Sequence, residues 1–579
     1  MESAPIPSSA AIEGSRGLIS RLTDIAVFAG GLALFYGVIT IAQTWAGPFR
    51  PAFAISLSPW SLPQYAAYSL MRLTIAYLLS LLFAILYGYI AAYNKPAERI
   101  MIPLLDILQS IPVLSFLPGV MLAMFALFPT HQVGVELGSI LLIFTGQVWN
   151  LAFSFYASVK GIPRELREAT RIYQFSPWQR FIQLDLPFAA IGLVWNSIMA
   201  VAGGWFFLMA CEQFVLGSRD FRLPGLGSYL QTAAGAGDTR AILWGLAAMI
   251  GIVVLVDQLV WRTVLAWAHK FKFEQVESAP PPRSPLLALL RRSAPAVYLQ
   301  RHFARPLGER LTARLAARWR TRPRAAGATP RARGLRWAVS ALVLAVVLLG
   351  CFQGIRELAG IQRAEMLHVL AGAGATFLRV MAALALGLAW TVPVGVAIGM
   401  RPRLAKYAQP LAQIGASVPA TALFPVVLLL LIRVGGGMGI ASILLILLGT
   451  QWYILFNVIA GAMALPSDLQ EAATIFRFST YDRWRLLILP GIFPSLVTGL
   501  VTASGGAWNA SVVAEYFRLK GHTFSITGLG AIISRATDAG NFRMLLAATI
   551  VMSIVVVGMH RLVWHRLYRL AHSRFKLES

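Results

Sequence analysis

GIPRELREATRIYQFSPWQRFIQLDLP, residues 161–187, and ALPSDLQEAATIFRFSTYDRWRLLILP, residues 464–490, are polar stretches set between long apolar runs. They align residue for residue: Pro163 with Pro466, Glu168 with Glu471, Arg180 with Arg483, Pro187 with Pro490. Pro163 and Pro466 suit the first turn of a helix, whose positive end favours the acids Glu165, Glu168, Asp468 and Glu471. Ser176 and Ser479 are suited to cap a following helix. Each stretch therefore reads as helix, turn, helix. Tyr173 or Phe476, Phe175 or Phe478, and Trp178 or Tyr481 set aromatic side chains around the turn, and an aromatic knob on a polar loop calls for a protein partner.

Outward from these loops the register continues. Trp149 meets Trp452, Phe153 meets Phe456, and Trp205/Trp508, Glu212/Glu515, Gly225/Gly528, Arg240/Arg543 and Trp261/Trp564 keep the same spacing of 303 residues. Upstream the spacing becomes 307, pairing Arg72 with Arg379, Gly88 with Gly395, Pro103 with Pro410, Pro112 with Pro419 and Pro118 with Pro425. The second copy is thus four residues shorter near the counterpart of the Pro129–Gly138 loop. Because polar and proline positions match as well as apolar ones, the chain reads as two duplicated halves.

With 57% hydrophobic residues and a mean hydropathy of +0.67 over 579 residues, the chain carries more apolar surface than a water-soluble core can bury. Apolar runs of about 20 residues must satisfy their own backbone in hydrocarbon and so read as helices, and the short alternating strands of an outer-membrane barrel are missing. Spans are expected over 23–46, 66–93, 103–128, 138–158, 186–210 and 241–266, and over 335–353, 371–399, 410–432, 439–460, 487–512 and 544–564. The expected fold is an all-α polytopic membrane protein of two homologous bundles, with about six transmembrane helices each. Residues 1–273 form the first half, 274–334 a basic cytoplasmic linker and 335–579 the second half. The run from Ile25 to Trp45 is too long for a signal-peptide core and reads as a retained first span. Cys211 and Cys351 have no metal-ligand spacing and read as apolar packing residues, and no metal site or cofactor is expected.

The formal net charge of +26 is distributed as in the cytoplasmic loops of membrane proteins. Lys95 and Arg99, Lys160 to Arg180, Arg401 to Lys406 and Arg477 to Arg485 all follow even-numbered spans, which puts these loops and both termini on the cytoplasmic side of the membrane. Between the halves, Pro280-Pro281-Pro282 opens a segment rich in arginine whose acids are nearly confined to Glu309. Leu311, Leu315 and Trp319 recur there at helical spacing, so it reads either as an amphipathic helix on anionic lipid or as a solvated basic linker. Membrane lipids, not nucleic acid, are the partner this charge implies.

Glu168-Ala169-Thr170 and Glu471-Ala472-Ala473, followed by Leu186-Pro187 and Leu489-Pro490, resemble the EAA loop of ABC importer permeases. The resemblance covers nearly all of both halves. Gln109-Ser-Ile-Pro112 to Leu117-Pro118, with Ala416-Ser-Val-Pro419 to Phe424-Pro425, looks like the nitrate, sulfonate, taurine and bicarbonate importer branch. It implies a type I ABC importer permease fold and an ATP-driven importer for a small solute, an anion such as nitrate, sulfonate, taurine or bicarbonate. It also implies two ATP-binding ABC subunits and an extracytoplasmic solute-binding protein as partners. By the same resemblance, Pro163, Glu168, Ala169, Phe175 and Pro187, with Pro466, Glu471, Ala472, Phe478 and Pro490, couple the spans to the ATPase. One departure stands out: the family's glycine in the turn is Gln174 in one half and Arg477 in the other, each followed by Phe, which puts the turn geometry in question.

Prolines within apolar spans free backbone groups that must face protein or a water-filled path, so Pro112, Pro118, Pro419 and Pro425 are candidates to line the pathway. Gly203-Gly204-Trp205 and Gly505-Gly506-Ala507-Trp508 read either as tight helix packing or as gating at Trp205 and Trp508. Glu212 and Glu515 are expected near the outer ends of the fifth spans, at the interface, with Arg240 and Arg543 at equivalent positions near the start of the sixth spans as candidate partners. Asn150, Gln147 and Thr145 have unlike counterparts in Tyr453, Thr450 and Leu448, which argues against a symmetric binding site there. A twelve-helix secondary active transporter shares the composition but does not require the paired loops. No enzyme signature is present, and without a Gly-x-x-x-x-Gly-Lys-Ser/Thr loop the chain needs a separate subunit for ATP hydrolysis.

Overall fold

The chain is described by a computed structural model over residues 54–129, 131–216, 219–271, 352–433, 437–463, 465–519 and 522–574, with isolated positions between 298 and 350. The expected span 23–46, most of 335–353 and nearly all of the basic linker, including Leu311, Leu315 and Trp319, lie outside the described residues.

In the first half, α1 (Leu62–Tyr93) leads through α2 (Lys95–Ser110) and α3 (Leu117–Leu127) to α4 (Val133–Lys160), the short α5 (Arg164–Ile172) and α6 (Leu186–Glu212). A two-stranded hairpin (β1, Val215–Leu216; β2, Arg219–Asp220), α7 (Leu226–Ala236) and α8 (Thr239–Val256) complete it. The second half repeats the order: α9 (Arg363–Gly399), α10 (Pro402–Ser417), α11 (Ala420–Arg433), α12 (Met438–Met463), α13 (Ser467–Ile475) and α14 (Leu489–Ala514). β3 (Tyr516–Leu519), β4 (His522–Ser525), α15 (Leu529–Ala539) and α16 (Phe542–Met559) follow. Among the described residues eight helical stretches are long and apolar enough to cross a membrane, built on α1, α4, α6, α8, α9, α12, α14 and α16.

Each half has the same centre: α4 packs between α1 and α6, and α12 between α9 and α14. The distribution of side-chain size explains how. On α1 the buried face carries Ala76, Ser80, Ala84, Gly88 and Ala91, while Leu78, Leu82, Leu86 and Ile90 are about half exposed. Lipid is as apolar as leucine, so small residues that admit a neighbouring backbone, not large apolar ones, mark the packed face. A Cβ on Gly88 would stand 2.8 Å from the Phe155 ring and 3.2 Å from the Ala152 carbonyl, and one on its repeat partner Gly395 would stand 2.8 Å from Val458.

The structure corrects the third expected span of each half. Residues 103–128 are not one helix: α2 ends at Ser110, Ile111 is extended (φ −79°, ψ 126°), and a 3₁₀ turn over Val113–Phe116 precedes α3. Residues 410–432 break alike, with Val418 extended (φ −78°, ψ 117°) between α10 and α11. Both extended residues precede a proline, whose ring disfavours the helical region at the position before it. The broken segments join the halves: α10 and α11 pack on α6, the 113–116 turn packs on α14, and the Asn509 side-chain Oδ1 accepts from the Leu114 backbone N–H at 3.3 Å.

A second correction concerns the acids. Glu212 and Glu515 are not at a wet interface but fully buried, and their cations come from α1 and α9, not from Arg240 and Arg543. Arg72 donates from Nη1 to Glu212 at 2.8 Å and from Nε and Nη2 to Glu136 at 2.5 and 2.8 Å. Arg379 donates to Glu515 at 2.6 Å. Arg543 pairs instead with Glu357 at 2.9 Å, and Arg240 is exposed. In both halves the carboxylate also meets the first turn of the next short helix: Gly227 N–H to Glu212 and Gly530 N–H to Glu515, each 2.8 Å, where the amide dipoles favour negative charge. Gly225 and Gly528 are obligatory for this approach, because a Cβ there would stand 2.3 and 2.1 Å from the carboxylate.

Candidate functional site

The loops between the fourth and fifth spans form the helix–turn–helix read from the sequence. Pro163 and Pro466 are the N-caps of α5 and α13. Ser176 accepts from Gln179 N–H at 3.2 Å in a full capping box, and Ser479 accepts from Asp482 N–H at 3.1 Å. The turn itself resolves the question raised by the missing glycine. Gln174 and Arg477 adopt positive φ of 50° and 51°, the only non-glycine residues to do so among those described. Phe175 N–H bonds the Thr170 carbonyl at 2.9 Å and Gln174 N–H that of Arg171 at 3.1 Å, with Phe478–Ala473 and Arg477–Thr474 in the same roles. This is a Schellman C-cap, retained with side chains that glycine would serve without strain.

Two sides of each loop differ in role. Outward, Ile172 and Tyr173 are 78% and 74% exposed and Ile475 and Phe476 76% and 74%, an apolar pair at the tip of each short helix. Glu168 and Glu471 are exposed beside them. Ala169 and Ala472 are half-buried, as are Phe175 and Phe478 under the turn. Inward, the loop is fastened to the spans. Arg167 donates to the Val159 and Lys160 carbonyls at 2.7 and 2.8 Å, tying α5 to the end of α4, and Gln470 donates to the Leu465 carbonyl at 3.2 Å. Arg180 stacks over the Tyr93 ring at 3.9 Å, and Tyr93 donates to the buried Asp185 at 2.7 Å. π-helical turns, Phe181–Asp185 and Arg483–Ile488, carry each loop into α6 and α14 just before Pro187 and Pro490.

Between the halves lies a cavity in two adjoining lobes that share Phe207, Tyr453, Gly506 and Asn509. One lobe, about 140 Å³, is bordered by Gln109, Trp149, Asn150, Thr502 and His560; the other, about 80 Å³, by Met199, Phe206, Ala416, Pro419 and Trp452. A wider cleft of about 630 Å³ opens beside the hairpins and includes Pro118. Of the candidate pathway residues, Pro419 and Pro118 thus border open space. Pro112 is buried where it ends α2, and Pro425 is buried inside α11. Trp205 and Trp508 are 2% and 0% exposed in the packed core, Trp508 against Phe377. Among the described residues no cluster of His, Cys, Asp and Glu could hold a metal ion.

Residues 84–263 and 391–569 each match the family described as binding-protein-dependent transport system inner membrane component. The chain belongs to this family. Each match contains one of the two loops, so the permease carries the family unit twice in one polypeptide. It is similar to the nitrate import permease protein NrtB of Synechococcus elongatus, 30% identical over 30% of this chain and 58% of that protein. It is also similar to the taurine transport system permease protein TauC of Escherichia coli, 28% identical over 31% and 62%. The bicarbonate transport system permease protein CmpB of Synechocystis is 29% identical over 21% and 43%. The chain spans about three-fifths of the length of NrtB and TauC. It is an all-α, multi-pass component of an inner-membrane transport system.

Sequence reading missed the Arg72–Glu136–Glu212 cluster. The available signal was an arginine repeated at the same place in two apolar spans, since a charge in such a span requires a partner. It also missed that Asn150 and its repeat partner Tyr453 border one common cavity.

Proposed function

We propose that the permease is the complete transmembrane unit of an ATP-driven importer for a small solute, with nitrate, sulfonate, taurine or bicarbonate as the first candidates from its relatives' names. One observation carries this reading: the same apolar tip is presented twice, at Ile172–Tyr173 and Ile475–Phe476, on loops fastened to the spans behind them. Two ATP-binding subunits dock there, one per half, and an extracytoplasmic binding protein delivers the solute to the opposite side. The halves, 1–273 and 335–579, are joined by the cytoplasmic linker 274–334, with both termini in the cytoplasm.

In this mechanism Glu168, Ala169 and Phe175, with Glu471, Ala472 and Phe478, seat the short helices on the ATPase. Pro163 and Pro466 fix their entry angle, and Pro187 and Pro490 begin the fifth spans. Closure of the ATPases moves both short helices. Arg167, bonded to the end of α4, and the capped turn entering α6 carry that motion into the two spans that flank the cavity. Hydrolysis takes place in the partner subunits.

Charge reversal tests the docking: Glu168→Arg combined with Glu471→Arg leaves the fold intact, because both side chains are exposed and free of hydrogen bonds among the described residues. The double variant is expected to lose the co-purifying ATPase that the wild type retains. A wild-type chain that holds no ATPase would favour a twelve-helix secondary transporter instead.

A further inference from the structure

The two lobes of the central cavity are built from equivalent positions of the two halves, yet their chemistry is opposed. Thr502 on the polar side stands at the repeat position of Met199 on the apolar side and Gln109 at that of Ala416, while Asn509, which borders both lobes, stands at that of Phe206. Duplication alone gives matched walls; here one wall has been made polar and the other apolar. Among the described residues the polar lobe is bordered by side chains with donors not committed elsewhere: neither the Trp149 indole N–H, the Asn150 amide nor the Tyr453 hydroxyl has a hydrogen-bond partner. No lysine, arginine or acid lines either lobe.

We infer that this cavity is a solute subsite for a small organic molecule with an oxygen-rich, hydrogen-bond-accepting head and a short apolar tail. Trp149, Asn150 and Tyr453 hold the head through neutral donors; Met199, Phe206 and Trp452 enclose the tail. The apolar wall adds affinity only for solutes that bring carbon to cover it. Inorganic anions such as nitrate use half of the site. This rests on the reading of the chain as a permease for small solutes and narrows its solute class.

The test is calorimetric titration of the full chain in lipid nanodiscs with methanesulfonate, ethanesulfonate, butanesulfonate and nitrate, needing no ATPase and so independent of the docking test. Wild-type affinity is expected to rise about fourfold per added methylene, the equivalent of ~0.8 kcal/mol for each buried CH₂. Phe206→Asn is expected to flatten that rise, so that butanesulfonate loses more affinity than methanesulfonate. Asn150→Leu is expected to weaken every sulfonate about tenfold or more, as loss of a hydrogen bond to a charged group does. Nitrate binding as tightly as butanesulfonate, no binding of any probe by the wild type, or an Asn150→Leu chain that keeps the full series would each overturn the inference. The wild-type series alone decides even where a variant fails to fold.

Discussion

Replacing Arg72 should be among the most damaging single changes in the chain, and the reason is electrostatic, not steric. Its guanidinium is fully buried and makes four bonds: two to Glu136, one to Glu212, and one to the Pro224 carbonyl at 2.9 Å. In Arg72→Met two carboxylates, 2% and 0% exposed, stay behind with no cation. Breaking a buried ion pair by removing one partner costs about 3–5 kcal/mol, most of it the uncompensated charge left behind, whereas replacing the whole pair by neutral groups is often close to neutral. The triple variant Arg72→Met, Glu136→Leu, Glu212→Gln should therefore recover most of the loss, since a glutamine carbonyl can still accept from Gly227 N–H. Arg379→Met should cost less than Arg72→Met, because it strands one carboxylate, not two; Glu515 then keeps Thr376 and Gly530 as donors, just as Glu212 keeps Ser69 and Gly227. Denaturant unfolding in lipid–detergent micelles, followed by tryptophan fluorescence, measures all three. A cost for Arg72→Met below about 1 kcal/mol, the scale of an exposed pair, or a triple variant no more stable than the single one, would refute the reasoning.

Three further outcomes follow from the same geometry. Gln174→Gly and Arg477→Gly should each relieve ~1 kcal/mol of left-handed backbone strain, visible as roughly fivefold slower hydrogen exchange within the loops. Gly225→Ala and Gly528→Ala should destabilise by about 1–3 kcal/mol, the range for forcing atoms into a packed site, while Gly235→Ala, whose Cβ would meet nothing within 4 Å, serves as the control in the same unfolding assay. At the start of α2, outside the spans, hydrogen bonds from Lys160 and Tyr156 hold the Glu98 carboxyl below the usual carboxylate range. A depressed folded value means the contribution is present above about pH 4.3 and lost as pH falls through the lower value, so Glu98→Gln should cost at most about 1 kcal/mol at pH 7 and progressively less in acid.

Much of this was legible in the sequence because duplication marks what both halves need. The paired prolines, acids and serines of residues 161–187 and 464–490 specified helix, turn and cap, and the structure has all three. The broken third spans were not legible as breaks: hydropathy runs through Pro112 and Pro419 without interruption, and only the steric effect of each proline on the residue before it ends the helix there. The partners of Glu212 and Glu515 were hidden for another reason. Arg240 and Arg543 are nearer in sequence, but α7 and α15 turn the chain so that α1 and α9, 140 and 136 residues away, supply the cations. Polar contacts across such distances are set by helix packing, which the size pattern on α1 encodes only as a face, not as a neighbour.

The central claim is that one polypeptide supplies a whole transmembrane unit with two ATPase seats. Native mass measurement of the purified complex in nanodiscs tests it most directly. The account predicts one copy of this chain with two ATPase subunits, falling to none when both Tyr173 and Phe476 are changed to Asp. A complex holding two copies of this chain for two ATPases, or a wild-type chain that never retains any, would contradict it.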